Sequence, residues 1–294
     1  MTSFERRLST VDTLLDGLAG TGYLADEPLA TALFLACRMG QPILLEGEPG
    51  VGKTSAAAAL ASTLDTTLIR LQCYEGLTAA EALYEWNYPR QLLGIRLAEA
   101  RGEAPQEADL FTADYLLRRP LLAAIEHPGP YPAVLLVDEV DRADDEFEAF
   151  LFELLAEAAV TIPELGTRKA VLPPIVVLTS NRTRDLHDAL LRRCLYHWID
   201  YPDAHRVADI IRMRVPGADE PLAEQVAGSV ARIRTLDLTK PPGVAEAISW
   251  ANALRLLGTP LDEKSAGRTL GAVLKYREDE EVARAAGLAS LVDD

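Results

Sequence analysis

The residues best suited to chemistry lie in a glycine-rich stretch at 47–54. It reads Gly-Glu-Pro-Gly-Val-Gly-Lys-Thr, which matches the spacing of a phosphate-binding loop: Gly, four residues, then Gly-Lys-Thr. The glycines let backbone N–H groups turn inward and approach phosphate oxygens closely. We predict that Lys53 reaches the β- and γ-phosphates of a nucleotide and that the Thr54 hydroxyl binds Mg²⁺.

The segments on either side of this loop have the composition that it needs. Pro42–Glu46 is predicted to be a short buried strand entering the loop, and Ser55–Leu64 a helix leaving it. The start of that helix adds partial positive charge where phosphate would bind. A glycine-rich turn without a ligand is the alternative, but strand, loop, Lys-Thr and helix together favour a nucleotide site. Its predicted binding residues are Glu48, Pro49, Gly50, Val51, Gly52, Lys53, Thr54 and Ser55.

Two carboxylates follow the most apolar run of the middle of the chain. Ala133–Val137 is typical of a central parallel strand buried on both faces, and Asp138 and Glu139 come directly after it. Open α/β sheets place ligand chemistry at this end of their strands. We predict that Asp138 holds the Mg²⁺ shell and that Glu139 polarises or orients an attacking water. The alternative, an acidic start to the next helix, accounts for the later Asp144–Glu146 but not for this pair.

Two further polar positions end predicted elements. Ile175–Ser180 is predicted to be a buried strand, and Asn181 follows it. Its amide could orient the water near the γ-phosphate, or it could simply start an Asx turn. Arg192 and Arg193 end a predicted helix at 186–191, where a basic pair also suits the helix dipole.

Composition limits the classes of function. The formal net charge of −16 argues against broad electrostatic binding to nucleic acid. Leu29–Cys37, the most apolar stretch, is too short to span a membrane, and no signal peptide is expected at the start of the sequence. The 3 cysteines and 4 histidines show no metal-ligand or disulfide spacing, so we expect a reducing, cytoplasmic location.

The remaining patterns predict an α/β fold with a five-stranded parallel sheet between helices, followed by an all-α domain. Residues 1–202 form the predicted nucleotide-binding domain and 203–294 the helical one. The other predicted elements are strands at 67–73 and 196–201, helices at 9–18, 26–38, 78–84, 115–126 and 147–158, and a β-hairpin in 159–172 around Gly166.

Together these motifs resemble those of the AAA+ ATPases, specifically their MoxR-type branch. The resemblance covers about Tyr23 to Trp250. It rests on GEPGVGKT at 47–54, LLVDEVDRAD at 135–144, the hairpin near Gly166, LTSN at 178–181 and LLRRC at 190–194. The run at 195–202 is similar to a narrower CoxD-like subgroup, which is associated with maturation of carbon monoxide dehydrogenase and related molybdenum hydroxylases.

The resemblance implies roles for several residues. Asn181 falls at the sensor 1 position. Arg193 falls at the arginine-finger position, with Arg192 as an alternate, and would reach the γ-phosphate bound to a neighbouring subunit. Tyr23 and Leu24 would lie beside adenine. The all-α domain would be a lid, the subunits would form a ring, expected to be a hexamer, and 86–114 would contain an insert in helix 2.

One departure concerns the lid. The family commonly has a sensor 2 arginine at the start of the third lid helix, where this sequence has Glu246. Lys240 and Arg255 are alternative cations nearby. Lid-coupled sensing of nucleotide therefore lacks its usual arginine in this sequence.

The leading hypothesis is a ring-forming ATPase that hydrolyses ATP with Mg²⁺ to remodel a protein partner. A kinase-like metabolic enzyme, a nucleic-acid motor or loader, and a binding switch with negligible turnover are the alternatives. Related ATPases commonly work with a von Willebrand factor A-type protein, whose Asp-x-Ser-x-Ser pattern is absent from this sequence. We therefore expect that module on a separate chain, and a metalloenzyme as the client.

Overall fold

The computed structural model describes residues 2–102 and 106–292. The strands are β1 Ile43–Glu46, β2 Leu68–Gln72, β3 Tyr84–Trp86, β4 Leu116–Arg118, β5 Val134–Asp138, β6 Ala159–Ile162, β7 Gly166–Lys169, β8 Ile175–Ser180 and β9 Leu195–Trp198. The first ten helices are α1 Ser3–Arg7, α2 Val11–Gly20, α3 Glu27–Met39, α4 Lys53–Leu64, α5 Ala79–Leu83, α6 Tyr88–Ala100, α7 Glu107–Leu110, α8 Pro120–Ile125, α9 Asp145–Glu157 and α10 Asp188–Leu191. The later helices are α11 Ala204–Arg214, α12 Glu220–Ile233, α13 Val244–Leu257, α14 Glu263–Val273, α15 Arg277–Ala286 and α16 Leu288–Val292.

A five-stranded sheet positions the candidate chemistry. Its strand order is β2-β5-β8-β1-β9, and the β2–β5, β5–β8 and β8–β1 pairs are parallel. Every residue of β1, β5 and β8 is buried, as expected for strands covered on both faces. The register sets Glu46 opposite Ser180 and Gln72 opposite Asp138. The polar ends of these strands therefore meet at one edge of the sheet, and the predicted fold class is confirmed.

The predicted helix at 115–126 is wrong in its first half. Leu116–Arg118 is a strand that pairs antiparallel with Tyr84–Trp86 in a separate two-stranded sheet. Helix α8 begins only at Pro120, which suits a first helical position because proline has no N–H to leave unpaired. Leu116 and Trp86 are both buried by this pairing. The apolar spacing of 115–126 fits a helix as well as it fits a strand followed by a helix, so the local pattern could not predict the strand.

The hairpin, the last strand of the sheet and the insert were also predicted, and the structure shows elements at or near each of these positions. The hairpin forms from β6 and β7, with Gly166 at a φ of 75° where the second strand begins. Strand β9 ends at Trp198, three residues earlier than predicted. The predicted insert at 86–114 contains α6 and α7, and its residues 103–105 lie outside the described part of the chain.

The chain divides into two compact units. The sheet unit comprises the segment ending at Gly17, Asp26–Glu46 and Ala57–His197. The helical unit comprises Leu18–Ala25, Gly47–Ala56 and the chain from Trp198 onward. Buried apolar side chains around β5 form the core of the first unit, and α11–α16 pack around the fully buried Trp250 in the second. The domain boundary predicted at 202 stays a prediction; this grouping assigns the glycine-rich loop to the helical unit.

Within 2–102 and 106–292, none of the helices combines the length and the apolar character that crossing a bilayer requires.

Candidate active site

Asp138 ends strand β5 as a buried carboxylate with strong partners. It is 2% exposed. The Thr179 hydroxyl donates to its Oδ1 at 2.6 Å, and Arg70 donates to its Oδ2 from Nε at 3.0 Å and from Nη2 at 2.6 Å. Hydrogen bonds to an ionised acceptor are among the stronger ones in proteins, so these contacts fix the position of the carboxylate.

Glu139 follows in an unusual backbone conformation. Its φ of 55° and ψ of 51° lie in the left-handed region, which a non-glycine residue adopts at some cost. Its N–H donates to the Thr179 hydroxyl at 2.9 Å. Its carboxylate accepts from Gln72 Nε2 at 2.9 Å and forms an ion pair with Arg142 at 3.2 Å. The side chain remains 34% exposed, so water can reach an oriented carboxylate.

Asn181 lies beside Glu139. Its side-chain Nδ2 donates to Glu139 Oε1 at 3.4 Å, and its N–H donates to Asp141 Oδ2 at 3.2 Å. Asp141, which is buried, also accepts from the N–H and the hydroxyl of Thr183 at 2.8 and 2.7 Å. The chain just after β8 is thus held against the chain just after β5.

Sequence reasoning did not identify Arg70, Gln72, Thr179 or Asp141 as members of this cluster. The available signal was the presence of polar residues at the carboxyl ends of predicted neighbouring strands. Strand order and register, which the sequence did not supply, decide which of those residues meet.

Two further ionisable groups at this edge have shifted pKa values. Burial, followed by the nearby carboxylate of Asp138, raises the pKa of the Cys73 thiol to about 12, so this cysteine is unsuited to act as a nucleophile. Burial also raises the pKa of Tyr196, and its hydrogen bond to Glu46 adds to the rise. Glu46 itself is buried and accepts from the Ser180 hydroxyl at 3.0 Å and from the Tyr196 hydroxyl at 3.1 Å.

The phosphate-binding loop belongs to the helical unit. Gly47, Gly50 and Gly52 have φ values of 156°, 83° and 100°, a region that favours glycine. Lys53 is only 7% exposed, and its Nζ donates to the carbonyl oxygens of Gly47 at 2.7 Å and Glu48 at 2.8 Å. Helix α4 begins at this lysine, so helical N–H groups and an ammonium group lie together, which fits a phosphate ligand.

Tyr23 and Leu24 also belong to the helical unit. A Cβ added at Gly52 would lie 3.4 Å from a ring carbon of Tyr23, so the tyrosine ring lies against the loop. The Leu24 carbonyl accepts from Arg206 Nη2 at 2.7 Å, which ties this segment to α11. Their predicted position beside adenine stays a prediction.

Arg193 and Arg192 are both exposed after α10. The Arg193 guanidinium lies 4.2 Å from the centroid of the Phe152 ring, a cation–π contact that restrains its direction. Its carbonyl accepts from Gln41 Nε2 at 3.0 Å. The finger role of Arg193, with Arg192 as the alternate, stays a prediction.

Glu246 serves the local structure of α13. Its carboxylate accepts from the Gly243 N–H at 3.0 Å, three residues before it, as in a capping box. Arg255, one of the alternative cations, donates to Asn252 on its own helix at 3.0 Å. The backbone N–H of Lys240, the other one, donates to Asp279 at 3.1 Å.

The chain is similar to several known proteins. Residues 42–194, more than half of the chain, match the family described as AAA domain (dynein-related subfamily). The chain is 26% identical over 265 residues to the denitrification regulatory protein NirQ of Pseudomonas aeruginosa, covering 88% of this chain and 91% of that protein. It is 26% identical over 242 residues to the gas vesicle ATPase GvpN2 of Halobacterium salinarum, covering 75% and 64%. A RuvB mutant of Thermotoga maritima aligns with a TM-score of 0.49 at 17% identity, covering 89% and 71%.

Proposed function

The chain belongs to the AAA domain family, in its dynein-related subfamily, as a MoxR-type AAA+ ATPase, and we propose that it is a ring-forming enzyme that couples ATP hydrolysis to remodelling of a protein partner. One observation carries the hydrolytic part of this proposal. Glu139 is held in a left-handed conformation with its partly exposed carboxylate oriented by Gln72 and Asn181. That arrangement suits a residue that must present a base to a water molecule.

The phosphates of ATP bind to the residues of the glycine-rich loop. Inward N–H groups at 48–55 and the Lys53 ammonium supply the donors, since the loop glycines adopt the required left-handed conformations. Lys53, which now donates to two loop carbonyls, is close to the backbone that would surround the phosphates.

The Thr54 hydroxyl and the Asp138 carboxylate are the groups that fit Mg²⁺. This ion prefers oxygen ligands and usually binds through one or two protein groups plus phosphates and waters. Across the described residues, no cluster of three or more His, Cys, Asp and Glu side chains forms a self-sufficient metal site. The ion, held there, would supply positive charge that neutralises the negative charge developing on the phosphates.

Hydrolysis is assigned to Glu139, Asn181 and Arg193. Glu139 accepts a proton from water. Asn181, which directly follows β8, orients both the carboxylate and that water. Arg193 completes the site of the neighbouring subunit from the end of α10, because a guanidinium stays charged and donates in a fixed fork.

The partners follow from the resemblance and the chemistry of the surface. We assign the protein to a ring, a hexamer, in the cytoplasm, where a von Willebrand factor A-type protein on a separate chain connects it to a metalloenzyme client. The molybdenum hydroxylases of the carbon monoxide dehydrogenase type are the favoured clients, on the similarity of residues 195–202 to the CoxD-like subgroup. A net charge of −16 would steer basic partner surfaces toward it.

A Glu139→Gln variant tests the hydrolytic assignment. It should bind ATP as the unaltered protein does, while turnover falls by about 100-fold or more, because an amide is a poor base. Lys53→Ala should instead lose binding, since the loop loses its cation. Glu164→Gln, the same change at an exposed hairpin residue, is the matched control and should be fully active. Normal hydrolysis by Glu139→Gln would contradict the assignment.

The same variant tests the partner proposal. Immobilised Glu139→Gln loaded with ATP should retain a von Willebrand factor A-type protein or a molybdenum enzyme from host extract, and the unaltered protein with ADP should release it. Recovery of neither would count against a maturation role and leave the hydrolytic assignment untouched.

A further inference from the structure

Arg234, at the end of α12, contacts the phosphate-binding loop within the helical unit. Its Nη2 donates to Glu48 Oε2 at 2.6 Å, and its Nη1 donates to the Pro242 carbonyl at 2.7 Å. Its guanidinium lies 3.7 Å from the centroid of the Tyr201 ring, and its side chain is only 16% exposed. One of these three contacts, the ion pair with Glu48, joins this cation to a residue of the loop.

The segment that follows Arg234 also reaches the loop. This connector, residues 235–243 between α12 and α13, ends at Gly243. A Cβ added at Gly243 would lie 3.0 Å from the Gly50 Cα and 3.1 Å from the Pro49 carbonyl oxygen, so the two backbones approach closely. The next N–H, that of Val244, donates to the Gly50 carbonyl at 3.1 Å. The start of α13 is therefore bonded directly to the loop.

The middle of the connector is fixed by a buried acid. Asp279 of α15 is 1% exposed and accepts from the N–H groups of Thr239 at 2.7 Å and Lys240 at 3.1 Å. A displacement of the connector at the loop would thus pass to α15 as well as to α13.

Glu48 connects this network to the phosphate-binding lysine. Its carbonyl accepts from Lys53 Nζ while its carboxylate accepts from Arg234. Movement of the Lys53 ammonium toward a phosphate would change the hydrogen bonding of the Glu48 backbone, and the Glu48 side chain is bonded to α12. Glu246 cannot supply a cation at the start of α13, and its carboxylate caps that helix instead.

We propose that Arg234, acting through Glu48, is a positioning residue that couples nucleotide occupancy of the phosphate-binding loop to the lid helices α12 and α13. The proposal rests on the proposed ATPase function and names the residue that links the loop to the lid. Arg234 holds Glu48 and the connector in one arrangement, and binding of ATP is favoured by that arrangement.

A double-mutant cycle tests the coupling. Arg234→Gln and Glu48→Gln should each weaken ATP binding about tenfold, within the usual range for coupling between sites. The double variant should be no weaker than either single one, because both changes remove the same contact. Arg234→Lys should recover part of the loss, since it keeps the charge without the planar fork. In Arg234→Gln, KM should rise in proportion to the loss of ATP affinity while kcat stays within about twofold, because Arg234 supports binding without acting on the reacting atoms.

Arg212→Gln is the matched control. Arg212 lies on α11 and pairs with Glu220 at 3.3 Å, so this change removes an arginine ion pair of the helical unit without altering the Arg234–Glu48 pair, and ATP affinity should not change. The rate of amide hydrogen exchange at 239–250, measured with and without ATP, distinguishes coupling from a purely structural role. A purely structural role would not change the effect of ATP on that rate. ATP should slow exchange there in the unaltered protein and in Arg212→Gln, but not in Arg234→Gln or Glu48→Gln.

Additive losses of ATP affinity, or ATP-dependent protection of 239–250 that survives in Glu48→Gln, would overturn the proposal. Glu48→Gln decides the matter even if Arg234→Gln does not fold, because it leaves the lid sequence unchanged. The coupling and the ATPase function fail separately. If Glu139→Gln turns over normally while the Arg234 and Glu48 changes are non-additive, only the hydrolytic assignment is wrong. If turnover depends on Glu139 while the Arg234 and Glu48 changes are additive, only the coupling is wrong.

Discussion

Thr179 shows how one uncharged side chain organises the carboxylates. Its hydroxyl donates to Asp138 Oδ1 and accepts from the Glu139 N–H, and the residue is buried. It therefore contacts both members of the acidic pair. Its effect should be visible in stability as well as in turnover.

Replacing Thr179 by Val should lower the free energy of unfolding by about 2 kcal/mol, because a buried carboxylate oxygen and a backbone N–H lose their partner while the shape is kept. Thr179→Ser should recover most of the loss, since it keeps the hydroxyl. Urea denaturation measures both. Thr161→Val, at an exposed hairpin threonine, is the control and should stay within about 0.5 kcal/mol. A Thr179→Val protein as stable as the control would show that these hydrogen bonds contribute little.

At the scale of elements, helix α9 ends on a residue in a conformation that it does not favour. Ala158 has φ 47° and ψ 41°, and its N–H donates to the Leu154 carbonyl at 2.9 Å, which closes the helix before the hairpin begins. Alanine in this left-handed region costs roughly 1–2 kcal/mol relative to its usual conformations, whereas glycine adopts it freely.

Ala158→Gly should therefore raise the free energy of unfolding by about 0.5–1 kcal/mol. This net value is the strain that glycine relieves in the folded protein minus the cost of its greater conformational freedom in the unfolded chain. The same substitution at Ala149, exposed inside α9, should lower it by about 1 kcal/mol, because glycine weakens a helix interior. Opposite signs from one chemical change, measured by urea denaturation, are the expected result. Destabilisation at both positions would mean that the left-handed end carries no recoverable strain.

The elements also show what the sequence could and could not predict. Strands β1, β5 and β8 were predictable because burial on both faces leaves a continuous apolar run. Leu116–Arg118 was not, because its strand character comes from pairing with Tyr84–Trp86, about thirty positions away. Asp138 and Glu139 were predictable from their position after a buried strand, whereas Arg70 entered the cluster only through the β2–β5 register. Local patterns identify elements, and non-local pairing decides which side chains meet.

At the scale of the whole molecule, a ring would complete each active site with a residue of the next subunit. A closed ring uses the same head-to-tail contact at every interface, so a finger from one subunit and a loop from another can be supplied by different variants. Arg193 and Lys53 are suited to this test because one is exposed at the end of α10 and the other is buried in the loop.

Arg193→Ala and Lys53→Ala should each be nearly inactive alone and should recover activity when mixed. With random assembly of equal amounts, about one quarter of the interfaces pair an intact loop with an intact finger, which sets the expected recovery. Steady-state phosphate release from co-assembled subunits measures it. Arg192→Ala is the control and should be active without mixing. Failure to recover in rings shown to contain both variants would contradict a finger acting in trans.

The backbone at Glu139 has a consequence for how this sequence can change over time. Its left-handed conformation is one that glycine or asparagine would adopt at less cost, by roughly 1–2 kcal/mol for glycine. Under selection for folding alone, glutamate at this position would therefore tend to be replaced. Only a functional need for the carboxylate opposes that replacement. A lineage that kept the fold as a binding scaffold but abandoned turnover would be expected to lose this side chain early. If Glu139 is the proposed base, the residue type at 139 would therefore record whether a descendant still hydrolyses nucleotide.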